Sequence, residues 1–383
     1  MYIFYHEFDS LSSGAAVLIT NLAKGLLDSG KEVLLINYHD GHIHKELGKD
    51  HAGLTVVNRD VESIKNIANK LGLQDIIITT HFYTVYKHFL KANPRILFFC
   101  VNTTSLNEVN RLPLNLNFRG LTKKLITILK KRGGIVFGDE YALEQNAIQF
   151  DLNKNEFEII PIPVIVPGQN QYLANHWLAE KETILTYVGR AIDWKIFPAK
   201  KILQDLIHEN VTGRKVCFKI VTDNAKVFRE ALSLELPPGI RLEFYENLSQ
   251  TELVDFLVKN ADLHFAMGTA ALDGARLGIP TILLDLAYRD FPAGYLYNFV
   301  YDTPPTFIGT DANHKKEHTG KSMKHLVELT VDKSDLQTIS EKCFQYVKQH
   351  HNISAITPLI EKTCEDNKMM LSDARSGIVK FWF

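Results

Sequence analysis

The sequence predicts an α/β protein of two doubly wound parallel-sheet domains, on three observations. Short apolar runs of strand length alternate with helical patterns along most of the chain, as βα units packed on a parallel sheet require. At 383 residues the chain is too long for one ordinary core. Near its middle, Glu158 to Gly168 (EIIPIPVIVPG) carries three prolines and reads as a stiff extended linker. The expected domains are residues 1–163 and 164–365, with residues 366–383 as a tail packing back on the first.

Composition narrows the classes. A hydrophobic content of 45% with 23% charged residues suits a globular protein with sizeable cores. The formal net charge of -1 gives no global pull towards nucleic acid, so no nucleic-acid partner is expected. Cys100, Cys217, Cys343 and Cys364 are scattered without C-x-x-C pairing, which indicates neither a zinc site nor a disulfide framework and fits a reduced, cytoplasmic setting. The opening MYIFYHEFDS lacks the charge and the apolar core of a signal peptide. No apolar run approaches the roughly 18–20 residues that span a bilayer.

In the first half, Tyr2 to Tyr5 is a strand, a small-residue loop reaches Ser12-Ser13-Gly14, and a helix runs from Gly14 to Gly30 on a 3.6-residue period. Glu32 to Asn37 is the next strand, so the chain opens on a βαβ unit. Gly14 at that helix start lets a ligand approach the backbone, or simply permits a tight turn. Thr55 to Val57, Ile76 to Ile78 and Ile96 to Val101 continue the strands, with helices at Val61 to Leu71 and Val85 to Leu90. Ligands of such sheets bind beyond the carboxyl ends of strands. That rule places His81 and Asn102, each just past a strand, near a first-domain site. His81 reads equally as a polar or acid–base group and as a helix cap.

Residues 118–134 carry Arg119, Lys123, Lys124, Lys130, Lys131 and Arg132 with no acidic residue among them. Leu121, Leu125, Ile128 and Leu129 share one helical face, the pattern of an amphipathic helix on an anionic membrane surface or of an ordinary surface helix. Ile135 to Phe137 resumes the sheet, and Asp139 to Ile148 is helical.

The second half repeats the βα order. Ile184 to Val188 is a strand, Phe197 to Leu206 a helix, Val216 to Thr222 and Arg241 to Tyr245 are strands, and Thr251 to Lys259 is a helix with a Ser249–Glu252 capping box. Arg190 and Lys195 follow the first of these strands in GRAIDWK, where a fork and a point charge can neutralise a diphosphate. The stretch Ala261 to Asp285 is the central unit. A strand ends at Gly268-Thr269, a helix begins with Thr269 as its N-cap, Gly278 and Pro280 close it, and Thr281 to Leu284 is a buried strand. The helix tip at Gly268, Thr269 and Ala270 offers backbone N–H groups to a phosphate. Asp273 sits where a carboxylate meets ribose hydroxyls, or where it pairs with Arg276 at i,i+3. Leu336 to Gln349 and Ala355 to Asn367 are helical, and the final IVKFWF is apolar enough to be buried.

Three of these segments together resemble the large retaining GT-B glycosyltransferase family of cell-envelope sugar transferases (glycosyltransferase family 4-like). They are SSGAAVLITNLAKGLLDSGKEVLLIN, ILTYVGRAIDWK and ADLHFAMGTAALDGARLGIPTILLD, in the family's order. The resemblance implies two Rossmann-like domains facing across a cleft and a C-terminal helix crossing back to the first. It also implies Arg190 and Lys195 on the donor diphosphate, Asp273 on the donor ribose, and retention of configuration. Two departures stand out. Phe265 occupies the position of the first of two family glutamates, and Asn102 or a neighbour stands where many members have a histidine.

The expected function is sugar transfer from a nucleotide sugar, with UDP the favoured nucleotide, to a cell-envelope polysaccharide or lipid-linked acceptor. No cofactor and no metal are expected. Arg190, Lys195 and His81 are the candidate catalytic residues. Gly14, Tyr245, Gly268, Thr269, Ala270 and Asp273 join the two cations as donor-binding candidates. The chain would be cytoplasmic, or peripheral on the inner membrane face through residues 118–134. A sugar-nucleotide epimerase on the same fold and a non-catalytic nucleotide-sugar-binding subunit are the alternatives.

Overall fold

The structure, a computed structural model, describes residues 1–7, 14–38, 41–48, 51–106, 109, 119–168, 182–209, 215–314 and 319–378. The chain divides into two units, Met1–Pro163 with Ile353–Phe383, and Val164–Asn352. The residues from Ile353 to 365, placed with the second domain on sequence grounds, therefore pack with the first unit. The final IVKFWF lies outside the described residues except for Ile378, which is buried.

Unit 1 runs β1 (Tyr2–Tyr5), α1 (Gly14–Asp28), β2 (Val33–Asn37), α2 (His42–Leu47), β3 (Leu54–Asn58), α3 (Val61–Ala68), β4 (Ile76–Thr79), α4 (Phe82–Phe89), β5 (Arg95–Cys100), α5 (Arg119–Lys131), β6 (Ile135–Phe137) and α6 (Glu140–Phe150). Its six strands are parallel in the order β3-β2-β1-β4-β5-β6. β2 and β4 are buried along their whole length, which is why they read as unbroken apolar runs. Asp60 and Asp139 accept the Ser63 and Ala142 amides and so start α3 and α6, each cap worth about 1 kcal/mol.

The chain's end completes this unit. A Cβ on Gly25 of α1 would lie 2.1 Å from the Thr357 hydroxyl, so only a glycine lets α13 (Ile353–Asp366) seat this closely. Arg95 donates to the Cys364 carbonyl at 2.9 Å, and Asn367 donates to the Ile96 carbonyl at the same distance. Beyond α13, a 3-10 helix at Leu371–Gly377 packs on α5.

Of the apolar face read in residues 118–134, Leu125 and Leu129 are buried in the unit 1 core, with Ile126, against Met369, Leu371 and Ala374, while Leu121 and Ile128 are half-buried. Lys123 and Lys130 pair with Asp151 and Glu156. An apolar helical stripe serves a protein core and a bilayer equally, and here the core takes Leu125 and Leu129.

Unit 2 runs β7 (Glu182–Val188), α7 (Asp193–His208), β8 (Lys215–Thr222), α8 (Ala225–Ala231), β9 (Ile240–Glu246), α9 (Gln250–Asn260), β10 (Leu263–Ala266), α10 (Thr269–Arg276), β11 (Thr281–Leu283), β12 (Asn298–Phe299), α11 (Met323–Leu329) and α12 (Lys333–His350). The sheet order is β12-β11-β10-β7-β8-β9, parallel except for the β11–β12 pair. The Ser249–Glu252 capping box forms as the sequence predicts. All four cysteines are buried free thiols. Among the described residues, no helix is long and apolar enough to cross a membrane.

Candidate functional site

Strand order marks a switch point in unit 2. The chain leaves β7 for β8 and β9 on one side, then returns to lay β10 on the other side of β7. Tyr187 pairs with Phe265 across that junction, so the loops after β7 and β10 emerge side by side and lead apart. Such a switch point is where doubly wound sheets take ligands.

The loop after β7 is tightly specified. A Cβ at Gly189 would fall 2.7 Å from the Tyr187 ring, and the Tyr187 hydroxyl reaches under the loop to donate to the Lys195 carbonyl at 2.6 Å. Asp223, just past β8, accepts the Ala191 amide at 2.7 Å. Sequence reading passed over both anchors, because only the strand order brings them to the loop. Arg190 is exposed in the loop, while Lys195 lies in the first turn of α7 rather than in the loop. Burial pushes the Lys195 ammonium down to about 8, with the nearby Arg190 cation acting in the same direction and Asp223 against it. The two cations therefore disfavour each other's charge in the free protein.

At the adjacent loop, Gly268, not Thr269, is the N-cap of α10, and it makes no side-chain cap bond. Its φ of 63° and ψ of -141° lie where only glycine sits without strain, a requirement the sequence does not display. The Gly268 amide donates to the Ile308 carbonyl at 2.7 Å and is unavailable to a phosphate. The Thr269 and Ala270 amides have no backbone partner among the described residues, and they are the donors left at the tip.

Beneath that tip lies His264, fully buried on β10. Its ring bridges the Thr186 hydroxyl at 3.0 Å and the Ala270 carbonyl at 3.1 Å. A Cβ on Gly274 would lie 2.3 Å from the same ring. Burial lowers the His264 pKa to about 4, so it is a neutral prop fixing the start of α10. No sequence motif marks it.

Asp273 is nearly buried and accepts from Arg276 Nε at 2.8 Å and Gln250 Nε2 at 3.4 Å, both on Oδ1. Arg276 in turn donates to the Ile165 carbonyl at 2.9 Å. The i,i+3 pair is thus formed, and only the second carboxylate oxygen is outside it. Tyr245 is the penultimate residue of β9, two strands from the switch point. Its ring lies 4.6 Å from Phe256 and its hydroxyl donates to Glu243 at 2.8 Å. Arg190 and Lys195 thus follow β7 and the α10 tip follows the adjacent β10, while Tyr245 packs in a local core.

Unit 1 has its own switch point, between β1 and β4. His81 follows β4 and occupies the N-cap position of α4 without a side-chain cap bond. Its Nδ1 is 3.8 Å from Glu7 Oε2, and its ring centroid is 5.2 Å from that of His6. Burial, reinforced by Arg59, lowers the His81 pKa to about 4. Gly14 is exposed at the first residue of α1, which follows β1. Among the described residues no group of three or more His, Cys, Asp or Glu could hold a metal ion.

The comparisons define the class first. Solved structures that align with 95% of this chain are two-unit α/β proteins of the GT-B fold, and this chain has that fold. One is an alpha-glucosyltransferase in complex with UDP, 12% identical over 99% of its chain with a TM-score of 0.58. Another is S. aureus TarM in complex with fondaparinux, alpha-GlcNAc-glycerol and UDP, 11% identical over 99% of its chain with a TM-score of 0.58. A third is a trehalose-6-phosphate synthase, 11% identical over 98% of its chain with a TM-score of 0.55. No family model and no curated protein matches the sequence.

Proposed function

We propose that the protein is a glycosyltransferase that moves a sugar from a nucleotide sugar, UDP-linked by preference, to a glycan or lipid-linked acceptor. The observation that carries this is the adjacency of β7 and β10, with Arg190 in the loop after β7, Lys195 in the first turn of α7, and the Thr269 and Ala270 amides at the start of α10 after β10. Breaking a glycosidic bond to a diphosphate leaves negative charge on the departing group. Arg190 by its fork and Lys195 as a point charge stabilise that charge with groups already in place. The Thr269 and Ala270 amides take a phosphate oxygen at the positive end of α10. The ribose hydroxyls meet the Asp273 oxygen that Arg276 does not hold. Preorganised cations supply this stabilisation without a metal, and the family resemblance implies retention. UDP and other ligands of the solved neighbours support the reading.

The test is a panel of nucleotide sugars incubated with the protein, following released nucleotide and products. The reading expects UDP release that depends on acceptor, unchanged by a chelator. A new nucleotide sugar would identify an epimerase instead, and binding without turnover a carrier subunit.

A further inference from the structure

The loop that leaves β11 is braced to a second segment that reaches the start of α10. Asp285, two residues past β11 and 4% exposed, accepts on one oxygen from the Thr310 amide at 3.0 Å and the Thr310 hydroxyl at 2.9 Å. Its other oxygen accepts from the buried Tyr295 hydroxyl at 3.2 Å. A carboxylate this deep is tolerated only where such donors meet it. The bracing continues along the chain. The Leu286 amide donates to the Thr310 carbonyl at 2.8 Å and the Ala312 amide to the Leu286 carbonyl at 2.9 Å. Leu286 and Asp311 form a parallel bridge, so the second segment runs beside the β11 loop as a short extra strand would.

Gly309 lets the two segments approach. Its φ is 118°, and a Cβ there would fall 2.8 Å from the Leu284 carbonyl oxygen. One residue earlier, the Ile308 carbonyl takes the Gly268 amide at 2.7 Å. The Gly268 carbonyl in turn accepts from the Ala271 amide at 3.1 Å. Both peptide planes of Gly268 are thus held, at dihedral angles that only glycine adopts without strain. Because a peptide is planar, the Thr269 N–H points where the Gly268 carbonyl dictates. The contacts run from Asp285 through Thr310 and Ile308 to Gly268, and end at the first amides of α10.

We propose that Asp285 is a positioning residue for diphosphate recognition, holding the Ile308 carbonyl on Gly268 and so aiming the Thr269 and Ala270 amides at a phosphate oxygen. The proposal rests on the transferase reading and deepens it. Donors already in place bind an anion more tightly than donors that binding must first order.

The test uses the full chain and two readouts. Amide hydrogen exchange followed by mass spectrometry shows whether Gly268 is held, and calorimetric titration with UDP shows whether holding it matters. Asp285→Ala should speed exchange at Gly268 and weaken UDP, each by about tenfold or more. Asp285→Asn keeps an oxygen for Thr310 and should recover most of both losses. Gly309→Ala disturbs the brace without touching the carboxylate and should reproduce both effects, so it carries the test should Asp285→Ala fail to fold. The comparison variant is Thr183→Val, which removes a buried 2.8 Å hydrogen bond to Thr330 near the amino end of β7. It should lower the melting temperature while Gly268 exchange and UDP affinity stay as in wild type. Brace variants that bind UDP like wild type, Gly268 exchange unchanged in them, or an equal loss of UDP affinity in Thr183→Val would each overturn the proposal. Wild-type protein that binds no UDP would instead overturn the transferase reading, and the proposal with it.

Discussion

The two units share a topology and differ in what stands at its ligand-binding end. Each sheet reverses its strand order beside its first strand, β1 against β4 in one and β7 against β10 in the other. In unit 2 that end carries Arg190, Lys195 and two amides with no backbone partner among the described residues, with Asp223 holding the loop through the Ala191 amide. In unit 1 it carries a carboxylate, Glu7, held by Thr84 and balanced by Arg59. Each end also has a histidine that burial keeps neutral, the fully buried His264 beneath a helix and the half-buried His81 beside the carboxylate. The fold supplies the crevice, and the loop residues decide the sign of the ligand. The described residues at one end are mainly cations and amides, and at the other a carboxylate balanced by a cation.

The contrast can be broken most sharply at the cationic end. Arg190→Ala should lower turnover by about 10²-fold or more, because the cation meets charge that develops only as the bond breaks. Steady-state rates in a verified transfer assay check this, and rates near wild type would remove Arg190 from the site.

Proton linkage sharpens the same end. The Lys195 ammonium, held down to about 8 in the free protein, is charged below that pH and binds a diphosphate fully. As pH rises through 8 it loses the proton, so UDP affinity should fall by up to tenfold per pH unit, while Lys195→Met should bind weakly and without this slope. Affinities measured between pH 6.5 and 9.5 test it, and a flat wild-type profile would place Lys195 away from the ligand.

A smaller effect concerns the prop. His264→Phe should cost about 1–3 kcal/mol at pH 7, since the Thr186 hydroxyl and Ala270 carbonyl lose their partner. Burial holds the His264 pKa at about 4 in the fold, below the ordinary histidine value of about 6.5 that the unfolded chain keeps. The unfolded chain therefore takes up the proton first, and the wild type loses stability as pH falls from 6.5 towards 4. Asp139, pushed up to about 6 by burial, works in the opposite direction and is common to both proteins. The gap between wild type and variant should thus narrow on acidification, as denaturant titrations at pH 7 and 4.5 would show.

Least of all should change on α5. Lys124→Glu and Lys131→Glu alter exposed charges while Leu125 and Leu129 stay buried, so stability should move by less than about 0.5 kcal/mol. Wild-type binding to anionic vesicles, where present, should disappear in 0.5 M salt, as expected of charge alone. Salt-resistant binding would show that an apolar face inserts.

What the sequence could reveal follows from how far apart the interacting residues lie. The strands from β1 to β11 are local apolar runs, and the Ser249–Glu252 box is a local polar pattern, so both were readable. The antiparallel β12, of two residues, carries too little pattern to notice. Arg190 and Lys195 are close in sequence and were legible as a pair. The N-cap of α10 is Gly268, one position before the Thr269 that the sequence suggests, because a positive φ leaves no trace beyond the glycine itself. Glu7, Arg59 and Thr84 meet only after β1, β3 and β4 take their places in the sheet, and Asp223 and His264 act across β7 in the same way. No spacing rule connects residues assembled by strand order.

Calorimetric titration of UDP into wild-type protein and into the Arg190→Ala, Lys195→Met double variant at pH 7 tests the assignment of the anion-binding end most directly. Wild type should bind UDP, and the double variant should bind at least 10²-fold more weakly at an unchanged melting temperature. Equal affinities in the two proteins, or no binding to wild type, would contradict it.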